Sequence, residues 1–171
     1  MKAFLDTNVL LSSAHSNGLC RELLYWPTKD MGQYDAHYLA PSQVRVEYVS
    51  SDRVMMELSR NLTRKFRHSP ASTVAMVREI SKLLNLVPAA AQAVKCPDET
   101  DGWILADAVE AKCDYFITGD RVVLALYSVQ GMRIITPREM MDYLYTGKPI
   151  PKFEAHQDRA KYLVQRLEKI Y

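Results

Sequence analysis

Four carboxylates carry the chemistry this sequence is equipped for. Asp6 sits directly behind the apolar run Ala3, Phe4, Leu5, and Asp120 follows the stretch DYFIT (residues 114–118). Asp101 lies in the polar segment KCPDETDG (95–102), and Glu57 lies among Met55, Met56 and Leu58. Carboxylates gathered at one place repel each other and hold their protons more tightly. A bound cation relieves that, and hard oxygen donors select Mg²⁺ or Mn²⁺ over zinc. Each acid also has an ordinary alternative. Asp101 suits a helix N-terminus, where free N–H groups favour a carboxylate. Asp120 suits a turn after Gly119. Glu57 suits a solvated helix face. For Asp6 the alternative is weaker, because a carboxylate behind a buried run loses hydration unless something pairs with it.

Spacing alone does not bring these groups together; the fold must. The first eleven residues read as a buried strand that ends in polar residues. An amphipathic stretch from Leu19 to Trp26 stops at Pro27, and residues 28–43 read as a loop containing Gly32 and Pro41. Residues 44–49 (VRVEYV) alternate and predict a strand exposed on one face. Ser50, Ser51 and Asp52 offer caps for a helix reaching Phe66, and Pro70 opens another. Residues 85–88 form a short apolar piece. Trp103 to Ala111 then reads as a helix, 114–118 as a strand, 122–126 as a short helix, 133–136 as a strand and 137–145 as a helix. Strands alternating with helices predict an α/β fold with a parallel sheet between helix layers. In such sheets ligands bind outside the carboxyl ends of the strands. Asp6 and Asp120 both fall there.

The chain has 171 residues, a formal net charge of +2, 48% hydrophobic and 25% charged residues. That composition fits one globular core and argues against disorder. We expect one domain over residues 1–146, followed by a linker and a C-terminal helical extension over 147–171. No apolar run approaches the roughly 20 residues of a membrane helix. Asp6 and Asn8 interrupt the N-terminal apolar run that a signal peptide would need. A cytoplasmic protein is the expectation. Cys20, Cys96 and Cys113 are odd in number and lack CxxC spacing, against a disulfide framework or structural zinc.

The run Arg60 to His68 (RNLTRKFRH) holds four cations, Arg60, Arg64, Lys65 and Arg67, and no acid. It closes the helix that carries Glu57. Cations near a helix C-terminus are favoured in any case. A cationic stripe beside an acidic pocket also suits a phosphate backbone, with Arg121 a second candidate. The tail from Phe153 to Tyr171 repeats apolar residues at helical spacing, which suits packing on its own domain or on a second copy in a homodimer.

Four strings in order, FLDTNVLLSS, SSDRVMMELSRNLTRKF, PDETDGWILADAVEAKCDYFITGD and RIITPREMM, resemble the PIN-domain family over about residues 1–145. The resemblance lies with the small bacterial type grouped with VapC-like toxins of toxin–antitoxin pairs. It implies a three-layer α/β/α fold with a central parallel sheet and a ribonuclease dependent on Mg²⁺ or Mn²⁺. It places the family's acids on Asp6, Glu57, Asp101 and Asp120, with Asn8 and Thr118 lining the same pocket. It also implies an RNA substrate, which we expect to be single-stranded, and an antitoxin partner. Relatives often carry a further acid two residues after the Thr-Gly-Asp aspartate, where this chain has Val122. Asp98 competes with Asp101 for the third position. The alternative is a non-catalytic PIN-like module that binds RNA or protein. An aspartyl-phosphate phosphatase would need a second Asp where Asn8 stands.

Overall fold

The computed structural model describes residues 1–26, 44–153, 157–159 and 161. β1 (Lys2–Leu5) feeds α1 (Thr7–His15) and α2 (Leu19–Leu24). β2 (Glu47–Ser51) feeds α3 (Asp52–Arg64) and α4 (Pro70–Ser81), then β3 (Asn85–Val87). α5 (Glu99–Glu110) leads to β4 (Tyr115–Ile117) and α6 (Arg121–Leu124). β5 (Ser128–Val129), β6 (Met132–Ile135) and α7 (Pro137–Thr146) complete the order. The expected loop over 28–43 and most of the expected tail helix lie outside the described residues.

The strands form one sheet in the order β3-β2-β1-β4-β6-β5. All neighbours pair parallel except β5 with β6. α1 packs on α2 and α3, α3 on α4, and α2 on α7. α5 returns the chain from β3 to β4 and packs against β2. The connections from β1 to β2 and from β3 to β4 run in opposite directions along the sheet. Right-handed crossovers therefore place their helices on opposite faces, giving the three layers. Phe4 stacks on Phe116 across β1 and β4, with ring centroids 5.5 Å apart. Leu5, Ile117, Ile134 and Ile135 bury the same central strands. Among the described residues no helix is long and apolar enough to cross a membrane.

Three expectations about elements are corrected. The first strand stops at Leu5, and Val9, Leu10 and Leu11 are helical. A short apolar run fits either state. Here Asp6 caps a helix by accepting from the Thr7 N–H, 2.7 Å, which decides it. The second strand covers Glu47–Ser51 and is buried from Tyr48 onward, because α3 and α5 both pack over it. The sheet also gains an antiparallel edge. Gln130 and Gly131 take positive φ (48° and 88°), the two-residue turn that closes a tight hairpin.

Candidate functional site

β1 and β4 are neighbours, and the sheet's connections diverge on either side of them. Such a switch point opens a crevice at the carboxyl ends. The residues just past these two strands are Asp6, Thr7 and Asn8 on one side and Thr118, Gly119 and Asp120 on the other.

They are tied into one network. Asp6 Oδ2 accepts from Thr118 Oγ1 at 2.6 Å and from Asn8 Nδ2 at 2.7 Å. Asn8 Nδ2 also reaches Thr118 Oγ1, 2.9 Å, and Asn8 Oδ1 accepts from the Gly119 N–H, 2.9 Å. Thr118 Oγ1 accepts from the Asp120 N–H at 3.0 Å. The β1 and β4 ends are thus stitched by side chains as well as by the ladder. Asn8 and Thr118 hold the Asp6 carboxylate in one orientation, the positioning that a metal-binding acid requires.

The helical acids reach the same place. Glu57, on the second turn of α3, accepts from Thr7 Oγ1 at 2.7 Å. Asn61, one turn on, puts Nδ2 3.5 Å from the other Glu57 oxygen. Asp98 caps α5 by accepting from the N–H groups of Thr100 (2.8 Å) and Asp101 (3.3 Å). The capping role considered for Asp101 therefore belongs to Asp98. The Asp101 carboxylate makes no hydrogen bond among the described residues. Asp120 caps α6 with Oδ1, accepting from Val122 and Val123 N–H, so its turn role and its place beside the cluster coexist.

Burial and neighbouring negative charge both raise the proton affinity of these acids. Asp6 is 7% exposed, and burial pushes its carboxyl up to about 6, with smaller contributions from Asp101 and Glu57. Burial first, then the negative charges of Asp98, Asp120 and Glu57, pushes Asp101 up to about 6 as well. Burial raises the Cys96 thiol, and the charges of Asp101, Asp98 and Asp120 add to it. Asp101 thus lies within electrostatic reach of Asp6, Glu57, Asp98 and Asp120 at this end of the sheet. Among the described residues no three Asp, Glu, His or Cys side chains stand close enough to cage an ion by themselves.

The cations are placed differently. Arg60, Arg64, Lys65 and Arg67 are exposed along and beyond the end of α3, and none forms an ion pair among the described residues. Arg121 is exposed at the start of α6, next to Asp120.

Sequence reasoning missed Thr7 and Asn61, the two residues that hold Glu57. Thr7 was legible as the residue between Asp6 and Asn8. Asn61 was legible as i+4 from Glu57 on a helix. It also missed Gly102. A Cβ there would stand 2.6 Å from the Val94 carbonyl oxygen, so only glycine lets the 94–98 segment lie against the first turn of α5 beside Asp101.

A parallel-sheet domain with a carboxylate cluster at its switch point is the class these observations define. The chain matches the PIN domain profile over residues 2–122 and belongs to that family. No curated protein sequence matches it. Among solved structures it is similar to VapBC2 from Rickettsia felis bound to a DNA fragment from its promoter. That likeness has a TM-score of 0.56 at 10% identity, over 80% of this chain and 98% of the other. VapC20 from Mycobacterium tuberculosis, described as a sarcin-ricin loop cleaving toxin, aligns at 15% identity with a TM-score of 0.48. That alignment covers 77% of this chain and 98% of the other. At such identities the likeness is one of fold.

Asp101 gives a test of the burial and crowding together. Its folded-state value lies above the unfolded one, so between about pH 4 and 6 the folded protein binds more protons than the unfolded chain. Its contribution therefore turns unfavourable as pH rises through that window. Asp101→Asn removes it and should stabilise the chelator-treated protein above pH 6, by about 1 kcal/mol after solvent screening. Melts below pH 4 should show no such gain. An equal difference at both ends would place the effect outside this carboxylate.

Proposed function

We propose that this protein is a metal-dependent ribonuclease whose acids Asp6, Glu57, Asp101 and Asp120 hold Mg²⁺ or Mn²⁺. The carrying observation is the convergence of four carboxylates, one of them buried, at the switch point of the sheet. The donor set fits a hard divalent cation in type, since every group is an oxygen and two carboxyls hold their protons too tightly for isolated acids. Water would complete the coordination. When bound, the ion supplies charge for the phosphate oxygens and an activated water.

The chain's own groups do the rest. Asp6, oriented by Thr118 and Asn8, is the central ligand. Asp101 and Asp120 contribute their free oxygens across the crevice. Glu57, held by Thr7 and Asn61, ligates or orients the attacking water. Arg121 stands where it would meet a phosphate beside Asp120. The exposed cations of α3 would hold the backbone of a single-stranded segment, since side chains cannot enter the deep groove of an RNA duplex.

The domain we assign to this activity is residues 1–146, with 147–171 an extension. The Rickettsia felis relative is a VapBC assembly, and we extend the toxin reading to this chain, with an antitoxin protein as its inhibitor. The alternative, a non-catalytic PIN-like module, is disfavoured by the retention of all four acids and of the side chains that orient them.

The deciding experiment is cleavage of a mixed RNA pool in Mg²⁺, in Mn²⁺ and in chelator. Cleavage confined to the metal-containing reactions is expected; cleavage that survives chelation overturns the reading. The binding half of the proposal is tested by neutralising Arg64, Lys65 and Arg67 together. RNA affinity should fall for every sequence, and the log–log salt slope should shrink by roughly 0.7 per lost contact. An unchanged slope moves the RNA path off this helix.

A further inference from the structure

The end of α3 carries an aromatic cluster that the acids do not account for. Phe66 is 45% exposed. Its ring lies on His15, the last residue of α1, with centroids 3.8 Å apart and planes tilted by 31°. His15 in turn meets His68, Nε2 to Nε2 at 3.1 Å. His15 Nδ1 donates to the Leu11 carbonyl at 3.0 Å, because a carbonyl can only accept. In neutral His15, Nε2 is therefore the acceptor and His68 Nε2 the donor. Both imidazoles are fixed, and His15 holds Phe66 in turn.

The backbone contributes as well. Arg67 takes a left-handed conformation, φ 55°, which turns the chain so that the His68 N–H returns to the Leu62 carbonyl, 3.1 Å. Glycine or asparagine usually fills such a position. Here it holds a cation, next to Lys65 and Arg64, all exposed and free of ion pairs among the described residues. A rigid exposed ring surrounded by unpaired cations combines the two elements by which proteins hold single strands, stacking and backbone charge. α1 spans from the acidic centre to this cluster, about 13 Å at 1.5 Å per residue.

We propose that Phe66, braced by His15 and His68, is a stacking platform for an unpaired nucleobase of the RNA, a few nucleotides from the scissile phosphate. The proposal rests on the ribonuclease reading and adds where the strand is gripped. It makes the α1–α3 side of the domain the track of the substrate, with Arg64, Lys65 and Arg67 on the phosphates and Phe66 on a base.

Binding of a short unstructured RNA and of its abasic counterpart separates stacking from charge, since the abasic strand keeps every phosphate. Binding is measured in chelator, which stops the proposed cleavage and keeps transition metals off the imidazole pair, and again in one chelator-free arm with Zn²⁺ as the added metal. The wild type should prefer the base-bearing strand, by roughly five- to a hundredfold for one stacked base. Phe66→Ala should abolish that preference while binding the abasic strand as the wild type does, and Phe66→Trp should retain it. Three results overturn the platform. Phe66→Ala could leave the preference intact. It could weaken both strands equally, which would be a structural or electrostatic effect. Or the wild-type preference could appear only on adding Zn²⁺, making the histidine pair a metal site. If RNA is cleaved in Mn²⁺ yet any of these occurs, the platform falls and the ribonuclease reading stands. If the wild type neither binds nor cleaves RNA, both fall.

Discussion

Asp6→Asn should cleave RNA at least a hundredfold more slowly than the wild type in Mn²⁺, a loss of about 2.7 kcal/mol or more in transition-state stabilisation. Asp6 is the most buried of the four acids at the site, and its two oxygens meet three donors, from Thr7, Asn8 and Thr118. Those bonds fix where the negative charge points. The substitution keeps the volume and removes that charge, the property a divalent ion needs. It also exchanges one acceptor for an amide donor facing Asn8 Nδ2 and Thr118 Oγ1, of which only the hydroxyl can reverse its role. The variant should therefore remain folded, with a modest change in melting temperature, and should bind RNA in Ca²⁺ nearly as well as the wild type. Circular dichroism, a binding titration and a cleavage time course separate these. Turnover at the wild-type rate would remove Asp6 from the chemistry. The apparent affinity of the wild type for Mn²⁺ should also weaken as pH falls through about 6, because metal-free Asp6 and Asp101 then take up the protons that burial and crowding favour.

Much of this centre was legible in the sequence because its parts follow strands. A parallel sheet binds ligands at its carboxyl ends whatever the loops contain, so an acid behind a buried run is already placed. Glu57 and Asp101 stood out as candidate acids, but only the family resemblance put them in the same pocket as Asp6, because helix periodicity says which face a residue takes and not which crevice that face meets. The contest between Asp98 and Asp101 could not be settled from spacing. Both precede the same helix, and the choice depends on which one turns its carboxylate back to the free N–H groups. The strand expected through Leu11 failed for a similar reason: Val9, Leu10 and Leu11 satisfy either periodicity, and the capping bond from Asp6 decides. The contact between the His15 and Phe66 rings was invisible because two helices distant in sequence bring them together. The same limit applies to Arg159, which composition marks as one more surface cation of the tail.

Arg159→Ala should destabilise the protein by about 3–5 kcal/mol, because it strands a buried charge. Glu139, on the first turn of α7, is fully buried. One carboxylate oxygen accepts from the Thr136 N–H and hydroxyl in a capping box, at 2.7 and 2.9 Å. The other accepts from Arg159 Nε at 2.9 Å. The guanidinium also donates to the Leu124 carbonyl (3.1 Å) and to that of Ile134, and lies near the rings of Tyr127 and Phe153. One side chain from beyond residue 146 thus joins α6, β6 and α7. Lysine cannot reproduce that fork, so Arg159→Lys should recover only part of the loss. Glu139→Gln placed in the Arg159→Ala background should recover part of it too, since a neutral amide still serves Thr136 and leaves no unpaired charge. A double-mutant cycle in denaturant reads the coupling between the two positions. The consequence reaches the candidate site, because β6 pairs with β4 and the Thr118 N–H bonds the Ile135 carbonyl at 3.0 Å. Pro137, the first residue of α7, lines the cleft beside Asn8, Gly119 and Asp120. Loosening the guanidinium should therefore lower cleavage at temperatures well below the melting point as well as lowering stability. A loss under 1 kcal/mol would show that the guanidinium is not seated in solution, and the tail would then be free for another partner.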